Sequence, residues 1–313
     1  MSELFLAHIP KSRVDVAPFG TTDHKWLYVE GKSDQNVFAR LVVSKTNKVF
    51  VINASDKKPP TDYWNDNIQN EPLSKYRVTK ACSTYKHIYG IIDRDRLDFS
   101  RIKLPKKCFL TDYRDLESTF FTVGGTDYIA ALISNVLRPA TDFSLDLIRD
   151  IERKTFELAG ILEVIDRSQG FGNNEEFDGP GSICIALDTR RPRMNGEFSA
   201  HTIAALITKI YDTTAYDGEN PLPTVDQING HTIVTALAIC IKIDRRLVQH
   251  LQEDQLDLAR SRRLLGKFES LRLEIENRMQ NEVDPPLAKT KLANTLVQEL
   301  RLTKLPVWFN QSS

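Results

Sequence analysis

Short apolar blocks bounded by polar turn residues run through the first third of the chain. Trp26-Leu27-Tyr28-Val29 is an apolar run closed by Glu30 and Gly31, which predicts a buried strand and then a turn. Val37, Phe38 and Leu41 follow at the spacing of one helix face. Lys48 to Ile52 predicts a second strand, and a polar stretch with Pro59-Pro60 leads to a helix over Glu71 to Cys82. The run His87-Ile88-Tyr89-Gly90-Ile91-Ile92 predicts a third strand, again ending in acids. Cys108-Phe109-Leu110 gives another, after which Asp112 opens a helical segment with Leu116, Phe120 and Phe121. Strands alternating with helices predict an α/β fold around a parallel sheet.

Beyond Gly125 the apolar period becomes helical, over Tyr128 to Leu137, Leu145 to Val164, Phe198 to Tyr211, His231 to Ile243 and Leu247 to Arg278. Two segments rich in Gly, Asp, Asn or Pro interrupt it, Ser168 to Gly181 and Asp212 to Pro223, and read as surface loops. The organisation expected is a leader over 1–24, a parallel sheet flanked by helices over 25–125, and a mainly α-helical C-terminal region over 126–313. No internal repeat argues for a solenoid.

Composition narrows the class without naming a partner. The 313 residues are 41% hydrophobic and 27% charged, enough for a sizeable core. Forty-two Lys plus Arg balance forty-two Asp plus Glu, so a polyanion would have to be met by a local basic patch. Cys82, Cys108, Cys184 and Cys240 stand far apart with no C-x-x-C pair, which argues against a zinc site or a secreted disulfide framework. The N-terminal residues lack the pattern of a signal peptide, and the longest apolar stretch, Ile233 to Ile241, is too short to span a bilayer. A soluble protein of the cytoplasm, with no membrane partner, is the expectation.

The candidate chemistry lies in Glu30, Asp34, Asp93 and Asp95. Glu30 and Asp93 each follow an apolar strand, and in open α/β sheets ligands gather at the carboxyl ends of the strands. Asp93 and Asp95 are two apart and share a side of an extended segment, while Asp34 lies one helical turn beyond Glu30. Like charges about 4 Å apart repel by roughly 4 kcal/mol at an effective dielectric of 20, so convergence would raise their pKa values or recruit a cation. Oxygen donors without His or Cys suit a hard ion, Mg²⁺ or Mn²⁺. For Asp34, helix capping explains the residue as well as metal binding does. Asp112, Asp115 and Glu117 are accounted for by the dipole of the helix they open, although Glu117 could complete a second metal site.

These residues carry a resemblance. Leu27-Tyr28-Val29-Glu30-Gly31-Lys32-Ser33-Asp34 followed by Gly90-Ile91-Ile92-Asp93-Arg94-Asp95 resembles the Toprim signature, a glutamate after the first strand and a D-x-D after a later one. Thr111-Asp112-Tyr113-Arg114-Asp115-Leu116-Glu117 and the distant Asn229-Gly230-His231 resemble Toprim-like proteins of the DUF4435 group, related to OLD-family nucleases, and within it the effector nucleases of PARIS-type anti-phage systems. The specific match covers about residues 25 to 120. It implies a Toprim-like catalytic domain over 25–125, with Glu30, Asp93 and Asp95 catalytic and Glu30, Asp34, Asp93, Asp95 and Glu117 as metal ligands. It further implies a Mg²⁺- or Mn²⁺-dependent endonuclease acting on nucleic acid, RNA and transfer RNA in particular, as a toxic effector restrained by an ABC-type ATPase partner.

Rival signatures are poor. Gly31-Lys32-Ser33 matches the end of a Walker A loop, but its first glycine would fall at Trp26. Gly170-Phe171-Gly172 lacks the third glycine of a dinucleotide fingerprint, and neither G-x-S-x-G nor H-E-x-x-H occurs. Lys32, Arg94, Arg96 and His231 are the candidate substrate-binding residues. Arg94 and Arg96 alternate with the acids, and Arg101, Lys103, Lys106 and Lys107 follow, as a basic edge beside the metal site or as a solvated loop. His231 opens an apolar helix, where a buried, hydrogen-bonded histidine is the default. Arg260, Arg262, Arg263 and Lys267 back an apolar stripe, Leu264, Phe268, Leu271 and Ile275, which reads as core, with packing of a homodimer as the alternative. The competing function is a non-catalytic Toprim-like module whose helical region docks a partner protein.

Overall fold

The computed structural model of the chain describes residues 24–42, 45–54, 73–95, 104–137, 143–169, 184, 222–247 and 267–310. Two compact units emerge, one made of Met1–Asp112 with Leu287–Ser313 and one of Tyr113–Pro286. The boundary expected at residue 125 falls within a helix, and the last segment of the chain belongs with the sheet and not with the helical region.

The first unit is an α/β layer built on β1 (Lys25–Val29), β2 (Val49–Asn53), β3 (Ile88–Ile92) and β4 (Cys108–Leu110), all parallel in the order β2-β1-β3-β4. The central strands β1 and β3 are short, apolar and largely buried, as parallel strands covered by helices should be. Helix α1 (Lys32–Leu41) packs on β2 and buries Val37, Phe38 and Leu41. Its buried Gln35 locks the pairing: Nε2 donates to Val51 O (2.9 Å), and Oε1 accepts from Asn53 Nδ2 (2.7 Å). Helix α2 (Leu73–Thr84) lies against β3, placing Val78 and Cys82 among Tyr28, Ile88, Ile92 and Cys108. Gly90 permits that approach, because a Cβ there would stand 2.5 Å from Cys82 Sγ and 2.6 Å from Val78 Cγ1.

The C-terminal segment completes this unit with α7 (Lys291–Leu300) and α8 (Val307–Asn310). Asp112, expected to open a helix of its own, accepts instead from the first amides of α7, Lys291 N at 2.6 Å and Leu292 N at 2.8 Å. Asn47 Oδ1 accepts from Thr303 N (3.0 Å) and Lys304 N (3.2 Å), and its Nδ2 donates to Lys304 O (2.8 Å).

The second unit is helical: α3 (Leu116–Leu137), α4 (Leu145–Gln169), α5 (Gly230–Ile243) and α6 (Phe268–Asn281). Helix α5 is apolar nearly all round, so it is buried, packed against α3, α4 and α6. Leu271 and Ile275 of α6 are wholly buried in this unit, so the stripe is core at those two positions, while Phe268 is half-buried. Helix α3 begins at Leu116 and kinks at Gly125 (φ 53, ψ −143). It alone among the described residues is long and apolar enough to cross a bilayer by length and composition, which the apolar run of α5 is not; within the unit it buries Phe120, Phe121, Ile129, Leu132, Ile133 and Val136. Of the expected segments, 170–181, 198–211, 212–221 and 248–266, the last with Arg260, Arg262, Arg263 and Leu264, lie outside the described residues, as do residues 1–23, while Ser168 and Gln169, expected in a loop, end α4.

Candidate active site

The site is a consequence of strand order. β1 and β3 are parallel neighbours with Tyr28 level with Gly90, so Glu30 and Asp93 emerge side by side at the carboxyl ends. The Asp93 amide donates to Glu30 Oε1 at 2.6 Å, and Ser74 Oγ donates to Glu30 Oε2 at 3.1 Å. A residue not singled out in the sequence, Lys75, joins the acids. Its Nζ lies 3.0 Å from Glu30 Oε1 and 2.7 Å from Asp95 Oδ2, and it donates to Asp93 O at 2.5 Å. The Lys75 side chain is 4% exposed, against 12% for Glu30 and 38% for Asp95. Burial pulls the Lys75 ammonium down, but Glu30 and Asp95 together outweigh it and hold it above the ordinary lysine range. Asp95 has a left-handed backbone (φ 44), a conformation that Asp, like Asn, adopts more readily than most residues.

The other expected residues are distributed unevenly. Asp34 Oδ2 accepts from the Gly31 amide at 2.9 Å and so serves the start of α1, the capping role its position allowed. Lys32, exposed, donates from Nζ to Gln35 Oε1 (3.1 Å). Arg94 is tied to the end of β4: its amide donates to Thr111 Oγ1 (3.1 Å) and its Nε to Thr111 O (2.6 Å). Arg96, Arg101 and Lys103 lie outside the described residues. Lys106 and Lys107 precede β4, so they sit at the opposite end of the sheet from the acids. Lys107 donates to Lys86 O and stands 5.1 Å from the centre of the Tyr89 ring. With Tyr89 four residues before Asp93, the separation is roughly 13 Å along the strand. The basic edge expected beside the acids therefore does not include these two lysines.

Glu117 and His231 belong to the second unit and form a cluster there. Asp115 is the hub: Oδ1 accepts from Ser118 N (2.7 Å) at the start of α3, and Oδ2 from Gly230 N (2.8 Å) at the start of α5. Gly230 is required by that contact, since a Cβ would meet Asp115 Oδ1 at 2.6 Å and Ser118 N at 2.8 Å. Burial pushes the Glu117 carboxyl up, with His231 opposing and Asp115 and Glu276 reinforcing the rise. His231 is not buried as its apolar helix suggested. Its side chain is 52% exposed, with Nδ1 at 3.1 Å from Glu276 Oε1. The bond to Glu276, helped by the charge of Glu117, lifts the imidazole to about 9. Glu276 is also held by Arg272 Nη1 at 2.5 Å. Behind this cluster, wholly buried Glu163 pairs with Arg114 (2.5 Å).

Among the described residues, no three His, Cys, Asp or Glu side chains gather closely enough to hold an ion. The acids at the sheet edge instead surround an ammonium, with two carboxylates and one carbonyl on a single cation. All three donors are hard oxygens, the chemistry that Mg²⁺ or Mn²⁺ requires, so the donor set fits such an ion wherever Lys75 yields its place. The chain matches no protein-family model and no curated protein.

Proposed function

We propose that the chain is a Mg²⁺- or Mn²⁺-dependent phosphodiesterase of Toprim-like type, an endonuclease on nucleic acid whose substrate, by the resemblance of its motifs, is RNA and transfer RNA in particular. The observation that carries this reading is the meeting of the Glu30 and Asp95 carboxylates and the Asp93 main-chain carbonyl around one cation position at the carboxyl end of a parallel sheet. Glu30 and Asp95, with the main-chain carbonyl of Asp93, would hold the ion. When bound, such an ion neutralises charge on a phosphate oxygen and acidifies water. Glu30, whose Oε1 is oriented by the Asp93 amide, is the group placed to take a proton from an attacking water. Arg94, braced at Thr111, lies between the two aspartates and is available to a phosphate of the substrate. An ABC-type ATPase partner that restrains the effector, and a place in anti-phage defence, belong to the same proposal.

The test is incubation of the purified chain with mixed RNA and DNA and Mg²⁺, beside Glu30→Ala. The expectation is cleavage by the parent and a loss of roughly 10²-fold or more in the variant, with far-UV circular dichroism unchanged. Undiminished cleavage by Glu30→Ala overturns the reading. The neutralisation of Glu30 and Asp95 by Lys75 favours one rival, a non-catalytic module. It is selected if neither Mg²⁺ nor Mn²⁺ moves the thermal midpoint.

A further inference from the structure

We propose that Lys75 is the resident counter-ion of the acid edge, and that a divalent ion enters by displacing its ammonium, so that Lys75 sets the metal affinity of the site. This rests on reading Glu30 and Asp95 as the ligands. Three oxygens surround Nζ, at 3.0, 2.7 and 2.5 Å, and two of them belong to the acids that would bind a metal. The oxygens cannot serve an ammonium and a doubly charged ion together, because two cations a few ångströms apart in a mostly buried site repel strongly.

The position of Lys75 in α2 strengthens the case. It lies in the first turn, where the helix dipole disfavours a cation, and that turn contains no acid to offset it. Its charge is therefore held by Glu30 and Asp95 and by nothing within its own helix. The four-carbon stem of lysine lets the ammonium leave without moving α2.

The test uses the full chain as wild type, Lys75→Gln and Lys75→Arg, titrated with Mn²⁺ and followed by the electron paramagnetic resonance signal of the free ion. Lys75→Gln is expected to bind Mn²⁺ roughly tenfold more tightly than wild type, and Lys75→Arg no more tightly. Equal or weaker binding by Lys75→Gln overturns the inference and leaves the metal site standing. Absence of binding by all three proteins overturns the reading of the site and the inference with it. A second arm needs no variant: acylation of wild-type Lys75 by an amine reagent, read by peptide mass spectrometry, should rise several-fold once Mn²⁺ is bound. Unchanged labelling at saturating Mn²⁺ overturns the inference even if Lys75→Gln fails to fold.

Discussion

At the scale of single residues, environment decides what the linear text leaves open. His231 sits on an almost wholly apolar helix, yet it occupies the first turn, and the continuous buried run of α5 starts only at Thr232. It therefore meets solvent on one side and Glu276 on the other. The hydrogen bond to Glu276, with the charges of Glu117 and Asp115, favours its charged form against burial and lifts it from 6.5 to about 9. Because the folded value is raised, the imidazolium contributes stability fully below about 6.5 and loses it as pH rises through about 9. Titration of the His231 Cε1 proton by NMR should give a midpoint near 9 in the parent and a fall toward 6.5 in Glu276→Gln; a parent midpoint already near 6.5 would show that Glu276 does not hold the ring. Lys75 was hidden for a different reason. Its partners Asp93, Asp95 and Glu30 lie 18, 20 and 45 positions away, and the one local sign was a cation against the dipole in the opening turn of a helix.

At the scale of elements, periodicity carries well and boundaries slip where a cap belongs to something distant. The four strands and α1, α2, α4 and α5 lie within two or so residues of where apolar spacing puts them, apart from the far end of α4, because burial of one face writes itself into local sequence. Helix α3 starts four residues later than Asp112 suggested, since the residue that opens it is Asp115. That carboxylate closes two helices at once, α3 through Ser118 N and α5 through Gly230 N, a pairing across 115 positions that no local pattern announces. Replacing Asp115 by Ala should cost about 2–4 kcal/mol, from two lost caps with buried amides left unpaired. Asp115→Asn, which keeps a single acceptor oxygen, should recover about half of that loss. Urea unfolding of both variants measures it, and an Asp115→Asn as stable as the parent would mean that only one of the two helix starts depends on the carboxylate.

At the scale of the whole molecule, the division of the chain was the least legible feature. The change to helical spacing near Gly125 is genuine, but the chain leaves the sheet unit at Asp112 and rejoins it at Leu287. What marks the return is tertiary: Asp112 at the head of α7, Asn47 on Thr303 and Lys304, and the burial of Leu296 and Leu300. Asp112→Ala should therefore lower the stability of the full chain by about 1 kcal/mol, seen as a drop in thermal midpoint, although helix-opening propensity would place its effect in α3. Hydrogen exchange distinguishes the two, with faster exchange at Lys291 and Leu292 expected and at Leu116 to Thr119 not.

The rejoining segment also bears on synthesis. A ribosome delivers the strands first and the pieces that close around them last. A polypeptide interrupted between Asp95 and Leu287 carries Glu30, Asp93 and Asp95 without the segment that finishes their unit. Unfinished translation products would thus be poor scaffolds for the acid edge.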